Sequence, residues 1–294
     1  MRLVTFLKDN KRRAGGYSAD GTIIDLDAAA AELGLKAPGD MLAILSEQEG
    51  LPSVRAVLDA VSGRAGSWRL APDAIKLLAP VPRPPKVLGV ALNYQDFCER
   101  GNLPPPDALK VFNKVGTTVI GPGDQIALPS GHKVTYEGEL GVVIGRRGKN
   151  ISQEEAFAYV AGYTVVNDLT ANDVAKADVQ LMRGKNFDTF CPLGPVLVTK
   201  DEVADPYQLT IRTTVNGAIR QEAEVRGMIF KIPEIIRFFS SFLTLEPGDV
   251  IATGTPAGTA LQHDPPAFLV PGDVVAVTVE GIGTLSNTCQ QTCN

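Results

Sequence analysis

Three acidic side chains in two apolar segments place the strongest limit on how this chain can fold. Glu137 and Glu139 lie in the segment Val134–Leu140, and Asp168 ends the segment Val160–Asp168. We predict that both segments are β-strands. Because side chains alternate faces along a strand, the Glu-x-Glu spacing puts both glutamates on one side. Two like charges on a buried strand need either a raised pKa or a cation between them.

A cation held by these three groups would be a hard ion. An all-carboxylate set selects Mg²⁺, with Mn²⁺ or Ca²⁺ as substitutes. The alternative is that the acidic pair forms the solvated face of an edge strand, since Glu-x-Glu alone is a common pattern. The segments that follow the acidic pair favour the metal site.

Five further segments follow the acidic pair in order along the chain. They are Gly184–Pro195 (GKNFDTFCPLGP), Val215–Gly217, Leu245–Pro256, Gly272–Val275 and Gly281–Leu285. Taken in this order and spacing, the chain resembles the fumarylacetoacetate hydrolase family from about Pro84 to about Asn287.

The resemblance implies an α+β, mainly β fold with a mixed β-roll catalytic domain that is usually a homodimer and carries a divalent metal. The family's metal ligands fall on Glu137, Glu139 and Asp168. Its site lysine falls on Lys185, and the threonine of its Thr-Gly-Thr-Pro turn falls on Thr255. A lysine beside three carboxylates also helps to balance their charge and can polarise a carbonyl. The simpler alternatives are a solvated loop lysine and a turn that only closes a hairpin.

The segment after Asn93-Tyr94 departs from the family. Many members carry there a histidine and a glutamate that activate water for C–C bond hydrolysis. Phe97 stands where the histidine is expected, and Arg100 stands where the glutamate is expected. Glu99 is one position out of register, and one position on a helix rotates a side chain by about 100°. Glu99 is therefore an inexact replacement, kept as a candidate catalytic residue.

A second departure follows the third predicted metal ligand. Asn172 and Ala175 stand where the family often has an arginine and a glutamine. The loss of a cationic fork and an amide suggests a substrate with fewer anionic oxygens, or one bound more through apolar contact.

The chain has two histidines, His132 and His263. His132 precedes Glu137 by five positions in a loop, so it is a candidate base at the mouth of the site. The commoner alternative for His132 is a surface loop histidine. His263 is expected in a loop beside the Thr-Gly-Thr-Pro turn, and a surface role is favoured for it as well.

These features predict an enzyme that acts on a small oxo-acid or dicarbonyl substrate. The first hypothesis is a Mg²⁺-dependent hydrolase or decarboxylase acting on a C–C bond of an acylpyruvate-like or oxaloacetate-like compound. Lys185 would be the electrophile, and Thr255 with its turn would hold a carboxylate or enolate. The second hypothesis is an enol–keto isomerase or a C–C lyase, because loss of the water-activating pair removes hydrolysis more readily than enolisation. The third is a non-catalytic metal- or ligand-binding protein, which the four retained charged groups argue against.

Composition limits the partners and the compartment. A net charge of −5 leaves no basic surplus for nucleic acid. No apolar run approaches the roughly 18 residues that a membrane span needs, and the first residues are too polar for a signal peptide. We therefore expect a cytoplasmic protein. Neither a zinc site nor a disulfide framework is indicated, because no C-x-x-C pair occurs among Cys98, Cys191, Cys289 and Cys293.

A cluster of prolines at Ala79–Pro85 divides the chain. Such a cluster cannot continue a helix or a central strand. We predict a small N-terminal α/β domain over residues 1–80 and the catalytic domain over residues 81–294. The catalytic domain should consist mainly of strands, with helices over Gln153–Tyr159 and Ile232–Phe242. The apolar segment Ile235–Leu245 adds weak support for a homodimer.

Overall fold

Strands account for most of the regular structure in the computed structural model, which describes residues 1–292. The strands are β1 (Arg2–Lys8), β2 (Lys11–Tyr17), β3 (Ile23–Asp25), β4 (Arg69–Leu70), β5 (Lys76–Leu78), β6 (Val87–Ala91), β7 (Lys110–Lys114), β8 (Val119–Ile120), β9 (Gln125–Leu128), β10 (Val134–Thr135), β11 (Gly138–Ile144), β12 (Val160–Asn167), β13 (Thr170–Ala171), β14 (Cys191–Thr199), β15 (Thr210–Val215), β16 (Ala218–Glu224), β17 (Val250–Ala252), β18 (Val274–Val279) and β19 (Gly283–Gln291). The α-helices are α1 (Leu26–Leu33), α2 (Met41–Ser46), α3 (Gly50–Ala60), α4 (Gln95–Arg100), α5 (Asn172–Asp178), α6 (Leu181–Lys185) and α7 (Ile232–Phe242).

The N-terminal region contains three short strands, then three helices, then two further short strands. Helix α1 begins after Asp25, whose carboxylate accepts a hydrogen bond from the N–H of Ala28. It ends at Gly34, which adopts the left-handed conformation that suits glycine. The sequence does not indicate β2, because its first residues are charged and it lacks an apolar alternation. Pairing of Lys11–Gly16 with β1 stabilises this strand.

The N-terminal strands are part of the same sheet as the strands of the catalytic region. The main sheet has the strand order β4-β3-β2-β1-β14-β12-β11-β17-β6-β7. Strand β1 pairs antiparallel with β14, with Arg2 opposite Val198. The proline segment Ala79–Pro85 thus connects two parts of one sheet. The division into two domains near residue 80 stays a prediction.

A second sheet completes the α+β, mainly β architecture that the sequence predicts. It has the order β16-β15-β18-β19-β9 and packs against the main sheet. The core between the two sheets is formed by apolar side chains of β11, β12, β15 and β18, among them Leu140, Val142, Val165, Ile211 and Val277. Strands β11 and β12 are buried along their whole length, so Glu139 on β11 lies deep in the molecule.

The helices of the described residues are short. The longest, α3 and α7, have 11 residues each, and no helix within residues 1–292 could cross a membrane by its length and apolar character. The helix predicted over Gln153–Tyr159 is wrong, because only Ala156–Tyr159 form a 3₁₀ turn. The Ser152 hydroxyl accepts the N–H of Glu155 and starts this turn, but β12 begins at Val160 and ends it.

Helix α7 directs its apolar side into the chain's own core. Ile235, Ile236 and Phe239 are buried, whereas Phe242 is exposed. Burial within one chain is sufficient to explain this apolar segment. The helix therefore gives no separate argument for a second copy, and the homodimer stays a prediction.

Within the described residues, the cysteines are buried free thiols: Cys98, Cys191 and Cys289. Cys98 is fully buried on α4. Cys293 lies outside the described residues.

Candidate metal centre

The acidic pair does not lie on one unbroken strand. Strand β10 ends at Thr135 and β11 begins at Gly138, so Glu137 lies in the break between them. In this break the N–H of Glu137 donates to Asn167 Oδ1 at 3.1 Å, and the carbonyl of Glu137 accepts the N–H of Asp168 at 2.9 Å. The prediction of a single strand is wrong in this detail. The break anchors Glu137 beside the third acidic residue.

Glu137, Glu139 and Asp168 converge on one point. A carboxylate oxygen from each lies within 4.8 Å of those from the other two. Glu139 belongs to β11, and Asp168 directly follows β12, which pairs with β11 so that Gly138 lies opposite Asn167. Glu139 and Asp168 are buried, and Glu137 is partly exposed. We call these three residues the acidic cluster.

Two buried lysines contact the acidic cluster. Lys185 Nζ lies 2.8 Å from Glu137 Oε2 and also pairs with Asp168 Oδ2. Lys114, at the end of β7, donates to Asp168 Oδ1 at 2.5 Å and to the carbonyl of Leu169 at 3.2 Å. Three carboxylates and two ammonium groups leave one negative charge in excess. Within residues 1–292, Glu139 has no cationic partner.

The excess negative charge falls mainly on Glu139. Burial, together with the charges of Asp168 and Glu137, raises the pKa of Glu139 well above its usual range. Burial also acts to raise the pKa of Asp168, but Lys114 and Lys185 hold it below its usual value. A buried oxygen donor set with uncompensated negative charge fits a divalent cation such as Mg²⁺ or Mn²⁺.

Lys114 is the residue that sequence reasoning missed. Its segment, Lys110–Lys114, carries lysine at both ends and reads as an exposed edge strand. The side chain of Lys114 is nevertheless fully buried. Three buried carboxylates need positive charge beside them, and this need could have predicted a second lysine at the site. Nothing in the sequence, however, distinguishes Lys114 from the other lysines.

The Thr-Gly-Thr-Pro turn positions Glu139. The N–H of Gly254 donates to Glu139 Oε2 at 2.8 Å. Gly254 has a φ of 104°, which favours glycine. The Thr255 hydroxyl donates to the carbonyl of Gly138 at 2.9 Å and accepts from Gln221 Nε2 at 2.8 Å. Thr255 thereby ties the turn to the start of β11, the strand that carries Glu139, and its contact with a substrate stays a prediction.

The structure does not bring Glu99 to the acidic cluster. Glu99 is exposed on α4, and its carboxylate accepts a hydrogen bond from Gln95 Nε2 at 2.9 Å. Phe97 is half-buried and packs against the main core. Arg100 Nε donates to the carbonyl of Gln262 at 3.2 Å. The helix therefore uses its inward positions for packing, and a catalytic role of Glu99 has no contact in its favour.

His132 likewise has no contact with the acidic cluster in the described chain. It is exposed, and its Nδ1 lies 2.7 Å from Asp173 Oδ2. His263 Nε2 lies 2.9 Å from the carbonyl of Gly258, so His263 does lie beside the Thr-Gly-Thr-Pro turn, as the sequence predicts. The role of His132 as a base stays a prediction.

Comparison with known proteins gives a consistent set of relatives. The family model described as Fumarylacetoacetate (FAA) hydrolase C-terminal matches residues 86–290. The mitochondrial oxaloacetate tautomerase fahd2 of Xenopus laevis is 41% identical over 98% of this chain and 89% of its own length. Oxaloacetate tautomerase YisK of Bacillus subtilis (strain 168) is 46% identical over 76% of this chain and 75% of its own length. Maleylpyruvate hydrolase from Sphingobium sp. SYK-6, solved with manganese(II) and pyruvate, has a TM-score of 0.80 at 29% identity and covers both chains fully.

Proposed function

We propose that this chain, which belongs to the fumarylacetoacetate hydrolase family, is a metal-dependent tautomerase that interconverts the keto and enol forms of a 2-oxo acid such as oxaloacetate. One observation carries the proposal: the acidic cluster and Lys185 are together, whereas α4 presents Phe97 and Arg100 in place of a water-activating pair. Tautomerisation needs a stabilised enolate and a proton carrier, but hydrolysis needs an activated water as well. The names of the tautomerase relatives support the same choice.

The acidic cluster would hold the divalent cation of this enzyme. When bound there, a cation such as Mg²⁺ supplies Lewis-acid polarisation of the substrate's carbonyl oxygen. The charge excess at Glu139 and the all-oxygen donor set support this assignment. The manganese(II) in the solved structure of the maleylpyruvate hydrolase supports it for a related protein.

Lys185 would stabilise the negative charge that develops on the enolate oxygen. Its side chain is only 5% exposed, so water screens its charge weakly. Burial acts to lower its pKa, but Asp168 and Glu137 hold the pKa above the usual lysine value. Lys185 is therefore protonated at neutral pH and acts as an electrophile, not as a base. A fixed cation binds an enolate more strongly than the neutral ketone, and this difference lowers the barrier.

Purified protein and oxaloacetate test the proposal. With Mg²⁺ or Mn²⁺ present, the decay of the enol absorbance should accelerate in proportion to protein concentration, while mass spectrometry finds the mass of oxaloacetate unchanged. Lys185→Met should remove the acceleration. Arg55→Gln is the control, because it removes a cation from an exposed pair with Asp201. Addition of water to an acylpyruvate, or loss of CO₂ from oxaloacetate, would instead assign the hydrolase or the decarboxylase of the first hypothesis.

A further inference from the structure

The aromatic ring of Phe112 faces the lysine beside the acidic cluster. Lys185 Nζ lies 4.6 Å from the centre of this ring. A cation within about 6 Å of the centre of an aromatic face is attracted by the negative charge that the face carries. The same ammonium lies 2.8 Å from Glu137 Oε2, so a single residue connects the ring to the acidic cluster.

Strand β7 brings Phe112 to this position beside Lys114. The two residues are separated by one position, and alternate residues of a strand lie on the same face. On this face Lys114 donates to Asp168 Oδ1 at 2.5 Å. One short strand therefore supplies both an ammonium group and an aromatic ring to the surroundings of the acidic cluster.

Gly89 makes room for the ring on the neighbouring strand. In the antiparallel pairing of β6 with β7, Gly89 lies opposite Phe112. A Cβ atom added to Gly89 would lie 2.1 Å from Cζ and 2.3 Å from Cε2 of the ring. Such a close approach requires a residue without a side chain. The ring therefore lies across β6 over Gly89, and an alanine at this position would displace it.

Packing in the hydrophobic core does not explain the position of Phe112. The side chain is half-buried, and among residues 1–292 it joins none of the three clusters of buried apolar side chains. Its neighbour Val111, by contrast, packs against the largest of these clusters. The close contacts of the Phe112 ring are with Gly89 and Lys185.

Lys185 is buried, unlike the other cations that face an aromatic ring. In the part of the chain that the structure describes, the other four such cations are at least partly exposed and lie between 5.0 and 5.9 Å from the ring centres. The attraction between a cation and a ring is stronger where water is excluded from the cation. The pair of Phe112 and Lys185 is therefore the one whose attraction should have a measurable effect.

The ring attracts the ammonium without occupying its hydrogen-bond donors. An ammonium group has three N–H donors. Two of those of Lys185 are used on Glu137 and Asp168, and within the described chain no oxygen or nitrogen accepts the third. An aromatic face is only a weak hydrogen-bond acceptor. The third donor therefore stays available to an oxygen of the substrate.

The attraction of the ring also does not depend on the charge state of the acidic cluster. When a divalent cation is bound there, Glu137 and Asp168 share their negative charge between that cation and Lys185, and the two positive groups repel each other. The stem of a lysine is flexible, so its ammonium needs a further attraction to keep its place. Phe112 supplies an attraction that the bound cation does not weaken.

We propose that Phe112 is a positioning residue, which holds the Lys185 ammonium where its third N–H reaches the enolate oxygen of the substrate. This inference rests on the proposed function, in which Lys185 stabilises the enolate. Gly89 is part of the same device, because its missing side chain lets the ring lie close to the lysine.

Fluorination of the Phe112 ring tests the proposal, because fluorine withdraws charge from the aromatic face with little change in shape. Mono-, di- and trifluorophenylalanine are incorporated at position 112 as unnatural amino acids. With Mg²⁺ present, kcat for oxaloacetate tautomerisation should fall stepwise, by about twofold to thirtyfold in total, the range of cation–π attraction. KM should change little, since Lys185 acts on charge that develops in the transition state. The same series at Phe238, which is half-buried on α7, is the matched control and should leave kcat unchanged.

Thermal unfolding of the metal-free protein separates this inference from the proposed function. Trifluorination at position 112 should lower the melting temperature by roughly 1 to 4 °C more in the unmodified protein than in Lys185→Met, because only the former contains the ammonium. Gly89→Ala moves the ring away from the ammonium and takes the place of Lys185→Met in this comparison if that variant does not fold.

The two measurements together decide between the explanations. If no oxo acid is turned over but the melting temperatures show this coupling, the tautomerase proposal is wrong and the pairing of Phe112 with Lys185 stands. If neither kcat nor the coupling responds to fluorination, Phe112 has no positioning role. A fall in kcat without the coupling would place the ring against the substrate and would likewise overturn the proposal.

Discussion

The acidic cluster and helix α4, which we call the lid because the family's water-activating pair falls on it, hold their charged side chains in different ways. Both oxygens of Asp168 are bound by buried lysines, and Glu139 is bound by the N–H of Gly254. Among residues 1–292, the Glu99 carboxylate on α4 hydrogen-bonds only to Gln95 of the same helix, and Arg100 Nε hydrogen-bonds to one backbone carbonyl. Charges fixed in a buried site are organised before a ligand arrives, whereas exposed charges on a helix can adapt to it. The fixed charges that the proposed chemistry needs therefore lie in the body of the protein, and α4 carries charges that are not fixed in this way.

Glu139→Gln should have the largest effect of any change in the cluster. It removes a ligand charge with almost no change in volume, so Mg²⁺ or Mn²⁺ affinity should fall by more than roughly a hundredfold while the fold is kept. Calorimetry on metal-free protein measures the affinity. Glu99→Gln is the matched control, because it removes the same charge from the exposed lid. Equal affinities for Glu139→Gln and the unmodified protein would place the cation elsewhere.

Lys114→Met should reduce stability more than any removal of a lid charge. The ion pair of Lys114 with Asp168 is fully buried on both sides. Removal of one partner leaves a buried charge that Lys185 compensates only in part, and the free energy of unfolding should fall by about 3 kcal/mol. Urea denaturation measures this change. Arg55→Gln breaks an exposed pair and should cost less than about 1 kcal/mol, so similar losses in both variants would contradict the account.

The double variant Phe97→His with Arg100→Glu should bring the lid closer to the hydrolases of the family. A well-positioned general base accelerates a reaction by about a hundredfold or more. We expect a restored pair to raise the rate of acylpyruvate hydrolysis roughly tenfold. Mass spectrometry of the products measures the gain. Phe97→Ala alone is the control for lost packing. If the double variant folds, binds metal and gains no hydrolysis, the missing pair is not what separates this chain from the hydrolases.

The stability of the metal-free protein should depend on pH through Glu139. The folded state raises the pKa of Glu139, so it binds this proton more tightly than the unfolded chain does. The free energy of unfolding should therefore rise as pH falls through the raised pKa, and the rise should end near the unfolded value of about 4.3. Asp168, with a lowered pKa, acts in the opposite direction only below about pH 3.9. Thermal unfolding should show a smaller rise in Glu139→Gln, where Glu137 is the one member of the acidic cluster that keeps a pKa raised by burial.

The sequence predicts the acidic cluster better than its surroundings. The Glu-x-Glu spacing, the later aspartate and the lysine occur in a recognisable order, and the structure brings Glu137, Asp168 and Lys185 into contact. The break of the strand at Glu137 could not be predicted, because it depends on a hydrogen bond from Glu137 to Asn167 on the neighbouring strand.

The bulge at Arg220 shows what a single sequence does not reveal. Arg220 lies in a charged segment without apolar alternation, and only the register of β15 against β16 shows that it occupies a bulge. Lys114 is similar, since its burial depends on Asp168, 54 positions away. The position and burial of such residues are determined by contacts between segments that are distant in sequence, and local sequence patterns do not encode these contacts.

Exchange of the carbon-3 protons of oxaloacetate in D₂O tests the central claim most directly, because tautomerisation moves a proton on and off that carbon. Nuclear magnetic resonance follows the exchange and the products together. The account predicts that the Mg²⁺-loaded protein accelerates exchange without release of pyruvate or CO₂, and that Glu139→Gln does not. Pyruvate released in step with exchange, or full acceleration by Glu139→Gln, would contradict it.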